Sequence, residues 1–295
     1  MTERPLVDPR AIRRALREAG LRARHSLSQN FLADADVLDA VLAEAAPTPG
    51  RRILEIGPGL GILTAALLDA GAAVTAVELD RALAARLAAE RAASVSLGER
   101  DPNGAGGLRI VVGDALDVDL DALVEPPFDV VANIPYHITS PILHRLLGGT
   151  VRPRRLVLMV QREVAERIAA PPGRMSYLSV FAQHHATARV AATVPPTAFE
   201  PEPAVDSAIL VLDVVQPGRR PPADVAAEDG LWRVVQAGFR ERRKMLHNVL
   251  TRQLPIPPER VVTALAATGI QGERRPQTLS VAEWTALREA LGPIE

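Results

Sequence analysis

Apolar and polar positions change period along the chain. The first fifty residues are spaced for helices. Asp8-Pro9 opens one that Gly20 closes, and a second amphipathic stretch runs from about Asp34 to Ala45 before the turn PTPG. From there, short apolar runs alternate with helical spacing. RRILEIGP reads as a buried strand, LGILTAALLDAG as a helix ending at Gly71, and AAVTAVELD as a strand. RALAARLAAERAA is helical, LRIVVGDA and FDVVANIPY are strands, and SPILHRLL and RRLVLMVQ continue the alternation. Such alternation predicts a parallel sheet covered by helices on both faces. The polar, glycine-rich SLGERDPNGAGG predicts a surface loop. AATVPPTAFEPEPAVDSAILVLDVV predicts two late strands joined by a proline-rich loop, and QPGRRPPAD a linker. Beyond the linker every pattern is helical. Leu231, Val234, Val235, Phe239, Leu246, Val249 and Leu250 share one stripe, and Ser280 with Glu283 forms a capping-box signature. The expected organisation is an α/β domain over residues 1–215, with an N-terminal helical extension, and a small all-helical domain over 216–295.

Composition narrows this picture little. With 47% apolar and 23% charged residues the chain falls in the ordinary globular range. The absence of cysteine excludes disulfides, a thiol nucleophile and any cysteine-based zinc site, and fits a cytosolic protein. No apolar run approaches membrane-spanning length, and the charged N-terminus carries no signal-peptide pattern. The net charge of −1 announces no nucleic-acid partner, but charge is unevenly spread. Residues 1–30 hold seven Arg against three acids, and the stretch from Gln216 to the end holds twelve Arg or Lys against nine acids. Arg240, Arg242, Arg243 and Lys244 suit phosphate contacts and a solvated helix face equally well. His137 and His144 suit packing or capping. His184-His185 lacks further ligands at metal spacing, so no metal is expected.

The first strand ends in EIGPGLG, which places Gly57, Gly59 and Gly61 at the start of a helix. Glycines there permit a tight turn and close approach of a ligand to the backbone. Glu78 stands seventeen residues past Gly61, at the end of the second strand, where an acid can accept from ribose hydroxyls. Asp114 follows the third strand and is placed to read an adenine amino group. Together they outline a nucleoside pocket across successive strand ends. The glycine motif alone serves NAD, FAD or S-adenosylmethionine, or merely packs a turn. Its G-x-G-x-G spacing leans away from a dinucleotide.

NIPYHITSPILH follows the fourth strand and adjoins the same pocket. If the ligand is S-adenosylmethionine, the methyl donor is already reactive and the acceptor is the problem. An exocyclic adenine amine delocalises its lone pair into the ring. Hydrogen bonds from its N–H groups to the Asn133 side-chain oxygen and the Ile134 carbonyl would favour the pyramidal nitrogen that attacks. Pro135 would stiffen that backbone, and Tyr136 offers a flat face to a base swung out of its helix. The plainer alternative is that Asn133 caps the next helix and Pro135 ends the strand.

SQNFL, EIGPGLG, VELD, GDAL, NIPYHITSPIL, QREVAERI, FEPEPAVDSAIL, FRERRKMLHNVL and RRPQTLSVAEW follow in order along nearly the whole chain. In that order they resemble the rRNA adenine N6-dimethyltransferase family, most closely its small-subunit branch. The resemblance implies a Rossmann-like seven-stranded S-adenosylmethionine-dependent methyltransferase domain with a helical RNA-binding domain. It implies S-adenosyl-L-methionine as cofactor, with Asn30 and Leu32 at its methionine end, Gly57 (with Gly59 and Gly61) lining it, Glu78 on the ribose and Asp114 on the adenine. Asn133 would lie between cofactor and target amine, and Tyr136 and Phe199 would hold the flipped base. The implied substrate is a pair of adjacent adenosines near the 3′ end of 16S rRNA, within an immature small ribosomal subunit, each methylated twice. The chain departs from the family at Ile134, where Leu is usual, in a longer loop at SLGERDPNGAGG and in a shortened PPGRMSYLSV. NIPYHIT also suits the large-subunit rRNA methyltransferases of macrolide resistance, while the tail RRPQTLSVAEW favours the small-subunit branch. A non-catalytic assembly factor and an NAD-dependent oxidoreductase are the other readings, and the intact Asn133-x-Pro135-Tyr136 argues against both. A monomer is expected, since no self-complementary apolar seam stands out.

Overall fold

The computed structural model describes residues 7–24, 29–91 and 107–294, and the backbone of 95–97. Eight strands form one sheet: β1 (Arg52–Ile56), β2 (Ala73–Glu78), β3 (Val95–Leu97), β4 (Leu108–Val112), β5 (Asp129–Asn133), β6 (Arg155–Gln161), β7 (Ala186–Val194) and β8 (Ser207–Val214). Their order is β3-β4-β2-β1-β5-β6-β8-β7. β3, β4, β2, β1, β5 and β6 run parallel to one another, and β8 pairs with β6 antiparallel. Seven strands make the expected sheet. The eighth, β3, is an edge strand at the start of the segment expected to be a surface loop; residues 98–106 of that segment lie outside the described residues.

The central strands read as apolar runs because both their faces are covered. Ile53, Leu54 and Ile56 on β1, and Val130, Val131 and Ala132 on β5, are all buried. The helices Ala35–Ala45, Ile62–Asp69 and Arg81–Glu90 present Leu38, Val41, Leu63, Leu67, Leu83 and Leu87 to this core. From β1 the chain builds outward through β2 to β4 and β3, then returns to the other side of β1 with β5. The sheet therefore reverses direction of growth between β1 and β5. In doubly wound sheets a ligand crevice opens at the carboxyl ends of the strands at that point.

The chain divides into two compact units, Met1–Ala165 with Arg189–Arg219, and Glu166–Ala188 with Arg220–Glu295. The boundary expected after residue 215 thus falls after Arg219, and Glu166–Ala188 joins the helical unit from earlier in the chain. QPGRRPPAD is not a free linker. Gly218–Arg219 pairs with Val151–Arg152, and Pro222–Ala227 is helical. In the helical unit, Met175, Val180, Leu231, Val234, Leu246, Leu250, Val261 and Leu287 pack around Trp284. The apolar stripe from Leu231 to Leu250 runs over two helices, Asp229–Phe239 and Leu246–Gln253. The interruption holds Arg240, Arg242, Arg243 and Lys244, with Met245 extended at the second helix's N-cap. Among the described residues no helix is long and apolar enough to cross a membrane.

Candidate active site

A cavity opens at the carboxyl ends of β2, β1 and β5. Of the residues singled out in the sequence, Asn30, Leu32, Gly57, Gly59, Glu78, Asp114, Asn133, Pro135 and Tyr136 line it. The turn after β1 carries Gly57 and Gly59 at φ +68° and +56°, where a side chain would be strained. A Cβ on Gly59 would stand 3.0 Å from the Phe31 ring, so the segment Asn30–Leu32 lies directly against the glycine turn. A Cβ on Gly57 would come within 4.0 Å of the Asn133 carbonyl.

Glu78, at the end of β2, is 5% exposed. It accepts from the Gly59 N–H at 3.0 Å and from the Asp80 N–H at 2.8 Å, which fixes the carboxylate toward the turn. Burial raises its pKa despite these bonds, and the nearby Asp80 charge adds to the rise. Asp114 accepts from the Leu116 N–H through Oδ1 at 2.8 Å, which leaves Oδ2 as an acceptor for a ligand. Asn133 donates through Nδ2 to the Asn30 carbonyl at 2.9 Å. That bond sets the orientation of the amide, and Oδ1 remains as its acceptor end. The Ile134 N–H donates to the Met159 carbonyl at 3.0 Å, which ties this stretch to β6. Tyr136 is partly buried, and its hydroxyl lies 2.7 Å from Ser207 Oγ. Burial raises the phenol pKa, opposed by the bond to Ser207.

Two expected site residues are elsewhere. Gly61 does not line the cavity. It is the N-cap of the helix Ile62–Asp69 at φ +77°, and a Cβ there would collide with the Leu87 side chain. The missing side chain leaves room there for Leu87 of the helix Arg81–Glu90. Phe199 does not line the cavity either. It is 1% exposed within the apolar core, because its backbone pairs with Leu32 in the short ladder Phe31–Leu32 with Phe199–Glu200. A base cannot stack on it in this arrangement.

Sequence reasoning passed over Glu55, Phe31 and Met159, which also line the cavity. Glu55 is 2% exposed, accepts from Thr64 Oγ1 at 2.7 Å, and is pushed by burial up to about 8, from an ordinary 4.5. The signal was an acid inside an otherwise apolar strand. The structure also gives His184-His185 the third partner that spacing did not reveal. Glu228 brings its oxygens within 4.8 Å of both imidazoles. That carboxylate already has a cation, since Arg220 Nη2 donates to Glu228 Oε1 at 2.6 Å. Burial would raise Glu228, but the bond from His184 and the charges of His185 and Arg220 hold it below its ordinary value.

The cavity wall is rich in acceptors and apolar groups, and among the described residues its lining includes no Lys or Arg. A pyrophosphate would lack a cationic partner there. A nucleoside carrying a sulfonium and an ammonium group fits the carboxyl groups of Glu78 and Asp114 and the walls of Phe31, Leu63 and Ile134.

A family model described as "Ribosomal RNA adenine dimethylase" matches residues 20–291. The chain is 43% identical to the ribosomal RNA small subunit methyltransferase A of Anaeromyxobacter sp. (strain K), over 96% of this chain and 98% of the relative. It is 41% identical to the protein of that name in Moorella thermoacetica, over 94% and 95%. Among solved structures, the 23S rRNA methyltransferase ErmE is similar with a TM-score of 0.65 and 27% identity, covering 90% of this chain and 100% of that one. A dimethyladenosine transferase from Plasmodium falciparum shares the fold with a TM-score of 0.69, at 24% identity over 87% and 95%. With its sheet, its acceptor-lined cavity and matches over nearly its whole length, the chain belongs to the ribosomal RNA adenine dimethylase family and is an S-adenosylmethionine-dependent rRNA methyltransferase.

Proposed function

We propose that the chain dimethylates N6 of two adjacent adenosines near the 3′ end of 16S rRNA within the small ribosomal subunit, as a monomeric cytoplasmic factor in ribosome biogenesis. The small-subunit assignment rests on relatives above 40% identical that carry that name, against 27% for the large-subunit enzyme. The observation that supports the chemistry is the Asn133 amide, whose Nδ2 is committed to the Asn30 carbonyl, so that Oδ1 is the acceptor end.

S-adenosylmethionine, when bound, supplies an electrophilic methyl group on a sulfonium. The residues to hold it are Asn30 and Leu32 at the methionine end, Gly57 and Gly59 along the backbone, Glu78 for the ribose hydroxyls and Asp114 for the adenine amine. Tyr136 stacks the target base. Asn133 Oδ1 and the Ile134 carbonyl accept from the N6 hydrogens, which localises the nitrogen lone pair toward the donor carbon. The bound cofactor would supply its methyl group to that nitrogen and keep the C–S electron pair, and the extra proton on nitrogen would leave to water. Positioning and hydrogen bonding supply the rate, with no strong base required. The basic residues between Phe239 and Leu246 are suited to phosphate contacts, which salt would weaken.

The test is transfer of labelled methyl to unmethylated small subunits, large subunits and naked rRNA, with the modified nucleoside identified. Dimethyladenosine in small subunits alone is expected. Label in large-subunit rRNA would move the chain to the macrolide-resistance branch. Cofactor binding without any transfer would make it a non-catalytic assembly factor.

A further inference from the structure

We propose that Ser207 is a positioning residue for the methyl transfer, acting through the Tyr136 hydroxyl to fix the plane in which the target adenine stacks. This rests on the reading of Tyr136 as the base-stacking residue.

Ser207 opens β8, a strand whose side chains from Ser207 to Leu212 are all buried. A hydroxyl in that run needs a partner, because an unmade hydrogen bond in the core is costly. Its partner is the Tyr136 phenol, at 2.7 Å. The geometry of the sheet makes this bond a strut. Asn133 on β5 pairs with Met159 on β6, and Ser207 pairs with Gln161, two residues further along β6 on its other side. The Tyr136–Ser207 bond therefore spans the end of β6 and joins the catalytic loop after β5 to β8. Its far end is itself anchored. The Arg162 N–H donates to the Asp206 carbonyl at 3.0 Å, and the Arg162 guanidinium pairs with the Asp206 carboxylate at 2.5 Å.

At its other end, Tyr136 is held through its carbonyl, which accepts from Thr139 Oγ1 at 3.2 Å. A phenylalanine would keep that backbone bond but leave both ring torsions set by packing alone. The hydroxyl bond fixes them. The requirement is sharper for this reaction than for a single methylation. The same nitrogen must meet the donor carbon twice, the second time bearing a methyl group and only one hydrogen. A ring free to tilt would let the base shift, and the second transfer would suffer more than the first. Loss of the strut is therefore expected to release N6-monomethyladenosine.

The experiment compares Ser207→Ala, Ser207→Thr, Tyr136→Phe, Tyr136→Ala and the Ser207→Ala/Tyr136→Phe double variant in full-length protein. Single-turnover rate, mono- to dimethyladenosine ratio and S-adenosylmethionine affinity are measured. The chain has two tyrosines, so ¹³Cζ-tyrosine spectra report folding and the strut together. Ser207→Ala should shift the Tyr136 signal and leave that of Tyr177 in place. Ser207→Ala and Tyr136→Phe should each slow transfer about tenfold, raise the monomethyl fraction and leave cofactor affinity unchanged. The double variant should be no worse than either single one, and Ser207→Thr should restore both rate and product ratio. Wild-type rate and product ratio in Ser207→Ala, or losses that multiply in the double variant, would overturn the proposal. If Tyr136→Ala is inactive while Ser207→Ala and Tyr136→Phe match wild type, Ser207 positions nothing but the stacking reading stands. If Tyr136→Ala keeps full turnover, the stacking reading falls, and this inference with it.

Discussion

Glu55 is an acid kept neutral by its surroundings. Below about pH 4.5 its carboxyl is protonated in the folded and unfolded chain alike. Between that point and about 8 the unfolded chain ionises while the folded chain keeps its proton, so this group's contribution to stability falls as pH rises. The slope is at most about 1.4 kcal/mol per pH unit. Glu55→Gln retains an oxygen for Thr64 and removes the slope. The variant should match wild type in urea midpoint at about pH 4.5 and exceed it increasingly up to about pH 8. A constant difference across that range would show that Glu55 is ionised in the folded chain. Phe199 makes the opposite point, a residue with an expected catalytic role that the fold uses as core. Phe199→Ala should lower stability by about 3–5 kcal/mol, measured by urea unfolding, because it leaves a cavity in a region that is closed to water. A stable variant with reduced turnover alone would instead bring Phe199 back to the base.

The strands and helices that build the sheet were legible in the sequence because their signals are local. Alternation of apolar runs with helical spacing gave β1, β2, β4, β5 and β6, and glycines and acids at the strand ends marked the cavity. What was not legible depends on distant pairings. The burial of Phe199 follows from its ladder with Leu32, and the Glu228 beside His184-His185 comes from a separate helical segment. Gly61 looks like its neighbours in sequence, and only the packing of Leu87 against it separates its role from theirs. The cap of the last helix was legible. Ser280 accepts from the Glu283 N–H at 3.2 Å, and Glu283 accepts from the Ser280 N–H at 2.7 Å. Ser280→Ala should cost about 1 kcal/mol in thermal or urea unfolding. The carboxyl of Glu283 is held down to about 2, first by its bond with Arg274 and then by Ser280. A lowered carboxylate stabilises above its unfolded value, and that contribution is lost as pH falls from about 4.5 toward 2. Glu283→Gln should therefore flatten the acid limb of the stability profile. Glu283 is about one-third exposed, so salt should shrink the effect.

Across the whole molecule, the order of residues and the order of packing part company at Glu166–Ala188. This stretch lies between β6 and β8 in sequence, yet it belongs to the helical unit with Arg220–Glu295. Met175 and Val180 are buried within the core that surrounds Trp284. Composition and periodicity alone would place a domain cut near residue 215, where the helical patterns begin to run without strands. A chain ending at Arg219 would keep Glu166–Ala188 but lose the helices that bury its apolar side chains. Met175 and Val180 would then face water, and Tyr177–His185 would lack the packing that stabilises so short a helix. Residues 1–219 alone should bind a hydrophobic dye, unfold with low cooperativity and be cut by protease within 166–188 before the sheet is attacked. The full chain should resist cleavage there. A cooperative, protease-resistant fragment 1–219 would mean that Glu166–Ala188 holds its structure without the C-terminal helices.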